Sequence, residues 1–311
     1  MKQLIFSALI LSLVACAPSN SQETKTDKQA VEKPSDFNDY WYTGEAEITS
    51  YKLEQARYGE IHSGEAVLVF VTEPFSKTKQ VKLDDWRDAS EDNVSVMKLN
   101  MTKKFLTGIY PYSMMMSTFT PVSYDKYPDP FKVTTSSQEW CGHTWMQLNL
   151  LDENYRLRGF SYFESEGDVD KTVPNVILED ELWTRLRFNP ENLPTGEVEI
   201  FPSTFYLRLR HQETKPKTAN ASNLDVHTSE FSGNPHSIYT LEYENRRLSI
   251  YYEQEFPFTI LGWEETYMSG FGKEELLTTK AKRIDSIKSA YWGKNSNKDR
   301  EIRKELGLSI E

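Results

Sequence analysis

Short runs in which apolar and polar residues alternate recur along most of this 311-residue chain, and one stretch alone carries a helical repeat instead. In residues 45–53, Thr49, Tyr51 and Leu53 share one side. In residues 94–105, Val96, Lys98 and Asn100 face away from Met97, Leu99 and Met101. Residues 66–71 are continuously apolar and end before Pro74, and 109–122 form a further apolar stretch containing Met114, Met115 and Met116. Facing a cavity, those methionines would offer soft, adaptable surface; in a strand they divide between core faces. A hairpin is expected over 237–244 and 247–255, with Tyr239, Leu241 and Tyr243 matched to Leu248, Ile250 and Tyr252. Residues 203–212 and 276–292 read as strands, and 297–306 as a short charged helix. The clear helical repeat is 176–188, where Asn175 can cap, Leu178, Leu182 and Leu186 recur at four-residue steps, and Asn189-Pro190 stops the run. The tally is about ten to thirteen strands that do not alternate with helices, which excludes a doubly wound parallel sheet. The expected class is mainly β: an antiparallel, strongly curved sheet or open barrel, possibly two packed halves, with one amphipathic helix. Uneven strands and an end without an aromatic closing strand argue against a transmembrane barrel.

The amino terminus sets a second constraint. After Lys2 an apolar run over 4–14 leads into Ala15-Cys16, an order that resembles a bacterial lipoprotein signal with its lipobox. The run is too short for a helix that must cross a bilayer, which takes about 20 residues. The resemblance implies cleavage after residue 15, acylation of Cys16 and a stable anchor, since several acyl chains hold where one does not. Ala17 is not the Asp of an inner-membrane retention signal, so a periplasm-facing outer-membrane lipoprotein is expected. Residues 16–36, polar throughout, read as anchor and flexible tether. The folded part divides at a proline-rich boundary into 37–190 and 191–311, two β-rich halves packed together.

Composition narrows the partners. The formal net charge is −11, with 47 Asp and Glu against 36 Lys and Arg, and no basic patch with interleaved aromatics appears. Such a chain repels phosphate backbones, so no nucleic-acid partner is expected. Phosphate-binding glycine loops, a Gly-x-Ser-x-Gly elbow and a His-Glu-x-x-His zinc pattern are missing, and no cofactor is expected.

Candidate chemistry concentrates in 131–168, read as a strand over 131–150, a turn at 151–154 and a strand over 155–166. Period two on the first strand puts Glu139, Cys141, His143 and Trp145 on one face, with same-face Cα atoms roughly 7 Å apart. Glu164, Glu166 and Asp168 leave the neighbouring strand. Two chemistries fit: a Cys141 thiolate with His143 as base and Glu139 beside them, or Cys141 and His143 as metal ligands. The bland alternative is a structural Cys and an exposed His. Trp145, Glu164 and Glu166 are candidate ligand-binding residues, while His62, His211, His227 and His236 read as surface or loop.

The stretches Gln55-Ala56-Arg57-Tyr58-Gly59-Glu60, Thr107-Gly108-Ile109-Tyr110-Pro111-Tyr112-Ser113, Ser137-Gln138-Glu139-Trp140-Cys141-Gly142-His143-Thr144 and Phe160-Ser161-Tyr162-Phe163-Glu164-Ser165-Glu166-Gly167-Asp168 resemble uncharacterised lipoproteins of Bacteroidota. Some of these carry the label septum formation inhibitor Maf. The Ser-x-Ser-Pro-Arg-Arg-like opening of Maf nucleotide pyrophosphatases is absent here. The resemblance implies a membrane-anchored envelope protein. Three functions are expected in order: binding of an apolar or amphiphilic molecule in a curved sheet, a Cys/His enzyme or metal site, and an envelope scaffold that binds another protein.

Overall fold

A computed structural model describes residues 33–85, 87 and 90–309. The expected signal at 1–15, the anchor Cys16 and the tether as far as residue 32 lie outside the described residues. Among the described residues, no helix is long and apolar enough to cross a membrane.

The chain enters through a five-residue helix, α1 (Phe37–Trp41), whose end residues are buried. Strands β1 (Ala46–Arg57), β2 (Glu60–Ser76), β3 (Val81–Lys82), β4 (Asn93–Thr107), β5 (Tyr110–Pro121), β6 (Lys132–Glu139), β7 (Gly142–Leu151), β8 (Asn154–Ser161), β9 (Val169–Pro174) and β10 (Ile177–Leu178) follow. After helix α2 (Leu182–Phe188) come β11 (Gly196–Phe201) and helix α3 (Thr204–Arg210). The chain then runs through β12 (Lys217–Val226), β13 (His236–Tyr243), β14 (Arg246–Tyr252), β15 (Ile260–Ser269), β16 (Glu275–Ser289) and helix α4 (Glu301–Glu305).

All the described strands join one sheet, ordered β10-β11-β12-β13-β14-β15-β16-β1-β2-β4-β5-β6-β7-β8-β9, with β3 beside β2. Its pairings are antiparallel except for β10 with β11. The expected class therefore forms, as one large curved sheet not closed into a barrel. Residues on either side of position 190 share it, because β16 pairs with β1. The edge strands β9 and β10 are separated in the chain by only Asn175 and Val176. Such a link reaches at most about 11 Å, so the sheet must curl until its edges nearly meet. Register shifts at Ser50/Tyr51 and Tyr251/Tyr252 supply local twist. The β1–β2 turn, with Tyr58 at φ 57° and Gly59 at φ 80°, adds the left-handed pair that matches strand twist.

The concave side is packed. Tyr51, Leu68, Leu99, Met116, Tyr155 and Trp263 are all buried there. Strand alternation divides the methionine run, with Met114 and Met116 inside and Met115 exposed. Through this interior passes the segment that holds α2 and α3, and here two expectations are corrected. The helix expected over 176–188 is confined to α2. Ile177 and Leu178 instead pair in parallel with Ile200 and Phe201, and a single 3-10 turn, Glu179–Glu181, intervenes. Its carboxylates have fixed partners: Glu179 Oε2 accepts from Ser203 N at 3.0 Å and Tyr243 OH at 2.8 Å, and Asp180 Oδ2 accepts from Thr204 N at 3.0 Å. The expected cap Asn175 donates to Asp129 Oδ2 instead. The strand expected over 203–212 is α3. Phe205, Leu207 and Leu209 alternate as a strand would, but Thr204 and Arg208 are buried as well. A helix enclosed on most sides lacks the polar face that reveals its period.

Charge enters the interior in matched sets. Arg187 grips Glu47 with Nη1 and Nη2 at 2.5 and 2.6 Å, and its Nε donates to Pro257 O at 2.8 Å. Lys103 meets Glu265 at 2.6 Å, and Arg246 Nη2 meets Glu179 at 2.6 Å and Glu265 at 3.3 Å. Burial acts to raise the Glu265 carboxyl, but Lys103 and Arg246 carry it below the usual carboxylate range. For Glu179 burial wins over Arg246, and its carboxyl rises.

Candidate ligand-binding site

The run 131–150, read as one strand, is two. β6 ends at Glu139, β7 begins at Gly142, and those two residues pair across a two-residue turn made by Trp140 and Cys141. No Gly, Pro, Asn or Asp stands between Glu139 and Cys141 to announce the turn. The period-two count fails there, and the expected common face does not exist. Glu139 is buried, whereas His143 pairs with Gln138 and is exposed. Cys141 sits at the exposed tip, its N–H donating to Glu139 Oε2 at 2.6 Å. The hydrogen bond and charge of that carboxylate push the Cys141 thiol up, the opposite of what an activated thiolate needs. Among the described residues, no group of three His, Cys, Asp or Glu is placed to hold a metal ion.

A different group converges one hairpin further on. A cavity of about 380 Å³ lies between α3 and the β6–β9 part of the sheet. Its floor is a row in register across four strands: Thr135, Met146, Gly159 and Val169. Gly159 makes the gap. Tyr155 and Leu157, on the same face of β8, fill it with buried side chains, whereas Gly159 has none and a Cβ there would meet nothing closer than 3.9 Å. Leu157 below and Leu207 of α3 add apolar wall. The lining also takes in Trp145 and Phe160, a cross-strand pair with centroids 5.9 Å apart that alternation turns to the other face from Met146 and Gly159. By size and by its mixture of apolar wall and few polar groups, the space matches small-molecule pockets. A larger groove of about 670 Å³ borders Lys52, Glu65 and Lys104, but among the described residues no orphaned buried charge lines it.

The polar wall comes from α3 and the β8–β9 loop. Glu166 Oε1 accepts from His211 Nδ1 at 2.5 Å and from Arg208 Nη1 at 3.2 Å, while Oε2 accepts from Ser161 Oγ at 2.6 Å. Burial would raise the Glu166 carboxyl; the hydrogen bonds of His211 and Ser161 and the Arg208 charge outweigh it, so Glu166 stays anionic. Arg208 is 7% exposed and lies 4.6 Å above the Phe163 ring. His211 ends α3 in the left-handed region at φ 51°, which turns the chain back along the cavity. Glu164, two residues from Glu166, is exposed and outside the lining.

The cavity therefore contains Trp145 and Glu166 of the expected residues, and it adds Arg208 and His211. The latter two were hidden by the misread strand; Pro202-Ser203 ahead of the run is the signal that marks a helix start. His236, expected at the surface, is buried and held by Ser229 Oγ and Asn234 O, each at 2.8 Å.

No protein-family model matches the sequence, and no curated protein matches it. A solved structure with a similar chain path is that of a beta-barrel-like protein of domain of unknown function DUF1849 from Brucella abortus. It is 9% identical, with 78% of this chain and 97% of that one covered and a TM-score of 0.45.

Proposed function

We propose that this protein is an envelope lipoprotein, tethered to a membrane through Cys16, that binds an apolar or amphiphilic small molecule in the cavity over Gly159. The carrying observation is that a packed, curved sheet leaves one floor position without a side chain, and a few polar groups gather at one side of the resulting space. Strand directions put the β6–β7 turn, the β8–β9 loop and the β15–β16 turn at the same end as α3. Trp140, Tyr162 and Phe271 are exposed on those connections, a setting that suits exchange of an apolar cargo.

Displacement of a fluorescent probe by decanol tests this reading. Wild type should release the probe with a saturable curve, and Gly159→Leu, which the open space tolerates, should lose that response while melting at a similar temperature. Equal decanol binding by both proteins refutes the assignment. A second reading, docking of an envelope protein, draws on the same exposed aromatics; crosslinking in cells tests it, with Trp140→Ala and Tyr162→Ala expected to abolish a specific partner.

A further inference from the structure

We infer that the molecule held in this cavity is a single-chain amphiphile with a carboxylate head, and that Arg208 receives that head with His211 beside it. The inference rests on the cavity reading above and goes beyond it by naming the chemistry of the ligand.

Arg208 spends its hydrogen-bonding capacity at one nitrogen. Nη1 reaches Glu166 at 3.2 Å and His211 Nδ1 at 3.3 Å, while Nε is buried without a partner and Nη2 makes no hydrogen bond among the described residues. Nε and Nη2 form one edge of the guanidinium fork, the edge by which Arg156 holds Asp170 with bonds of 2.8 and 2.6 Å in this same protein. A planar carboxylate matches that edge with two parallel bonds. A buried donor left unmade is costly, so a cationic fork with a spare edge in the wall of an apolar cavity marks a place for an anion.

Charge counting gives the same answer. In the interior cluster two cations, Lys103 and Arg246, face two carboxylates, Glu179 and Glu265. One guanidinium there already holds two carboxylates. At the cavity the cations are Arg208 and, when protonated, His211, but Glu166 is the one carboxylate that touches them. A ligand carboxylate on the free edge gives Arg208 two carboxylate partners, as Arg246 has in the interior. Glu166 also sets the valence: it is anionic and 3.2 Å from the same guanidinium, so it disfavours a dianionic head such as a phosphate monoester more than a carboxylate. The chain of the ligand then lies along Met146, Gly159, Leu157 and Leu207, the apolar part of the wall, away from Glu213, which lines the cavity and pairs with Lys215.

The test compares three ligands of equal chain length, decanoate, decanol and decyl phosphate, on the full chain at neutral pH by probe displacement. Wild type should bind decanoate about tenfold or more tighter than decanol, the worth of a charge-assisted bidentate contact, and tighter than decyl phosphate. Arg208→Gln should erase the preference for decanoate over decanol, and a circular-dichroism spectrum that matches wild type shows that the variant is folded. Arg208→Lys keeps the charge without the fork and should retain part of the preference. Decanol binding as tightly as decanoate, decyl phosphate binding tightest, or an undiminished preference in Arg208→Gln overturns the headgroup assignment while leaving the cavity reading intact. Failure of all three ligands to bind wild type overturns both.

Discussion

Two clusters on the concave side are built from the same chemistry and differ in how many carboxylates their guanidinium holds and in whether they border open space. Around Arg246, four buried charged groups from three strands and the turn before α2 close on one another, and the shortest contacts are 2.6 Å. Around Arg208, three groups from α3, its C-terminal cap and one loop meet at the wall of a cavity, and the Nε/Nη2 edge of the guanidinium is unused. The Arg246 cluster, with Lys103 against the Phe205 and Trp263 rings, balances two cations against two carboxylates in the packed interior and serves the fold, even though Arg246 Nε and Nη1 lack partners. The Arg208 cluster has its spare bonding capacity in the wall of an open cavity. Buried charge by itself therefore says little about function in this molecule; unused capacity next to a void says more.

The largest expected effect breaks the closed cluster. Arg246→Met leaves Glu179 buried without its cation, while Glu265 keeps Lys103, and should cost about 3–5 kcal/mol, seen as a lowered urea midpoint. Arg208→Gln should cost less, about 1–3 kcal/mol, because Glu166 keeps His211 and Ser161. Equal costs would erase the distinction between the clusters.

Acid sharpens the same comparison. Glu265 and Glu166 both have folded-state carboxyls below their ordinary range. Each therefore contributes stability that is present above the unfolded carboxylate pKa and lost as pH falls through the folded one. Glu179 has the opposite sign: its raised carboxyl costs stability at neutral pH and the cost is relieved on acidification. Glu265→Gln should thus lower stability at neutral pH and flatten its fall below the usual Glu range, measured by urea unfolding at several pH values. An unchanged slope contradicts the assignment of Glu265 as ionised in the folded protein.

How much of this was visible in the chain depends on what surrounds each segment. Strand alternation is legible in β4, β5 and the β13–β14 hairpin because one face is buried and the other wet, and the class of fold followed from it. The signal fails where both sides are buried or where a turn carries no turn residues. α3 looks like a strand because Arg208 is as buried as Leu207, and the Trp140-Cys141 turn is disguised by its apolar and aromatic composition. Both segments therefore mask Arg208 and His211 and give Cys141 and His143 a shared face they do not have, since a face count is only as good as the strand boundaries beneath it.

The smallest expected effect concerns that hairpin tip. With Glu139 holding its thiol up, Cys141 should alkylate more slowly than free cysteine at neutral pH, and Glu139→Gln should speed it. Cys141→Ser should leave the urea midpoint and decanoate binding unchanged. A fast-reacting thiol, or loss of binding in Cys141→Ser, would return the hairpin tip to the functional site.

Photolabelling tests the central claim most directly. A decanoate analogue with a diazirine on its chain, irradiated with the full protein and mapped by peptide mass spectrometry, should mark Met146, Leu157, Val169 and Leu207. Labels confined to the outer groove at Lys52, Glu65 and Lys104, or spread without preference, would contradict the account.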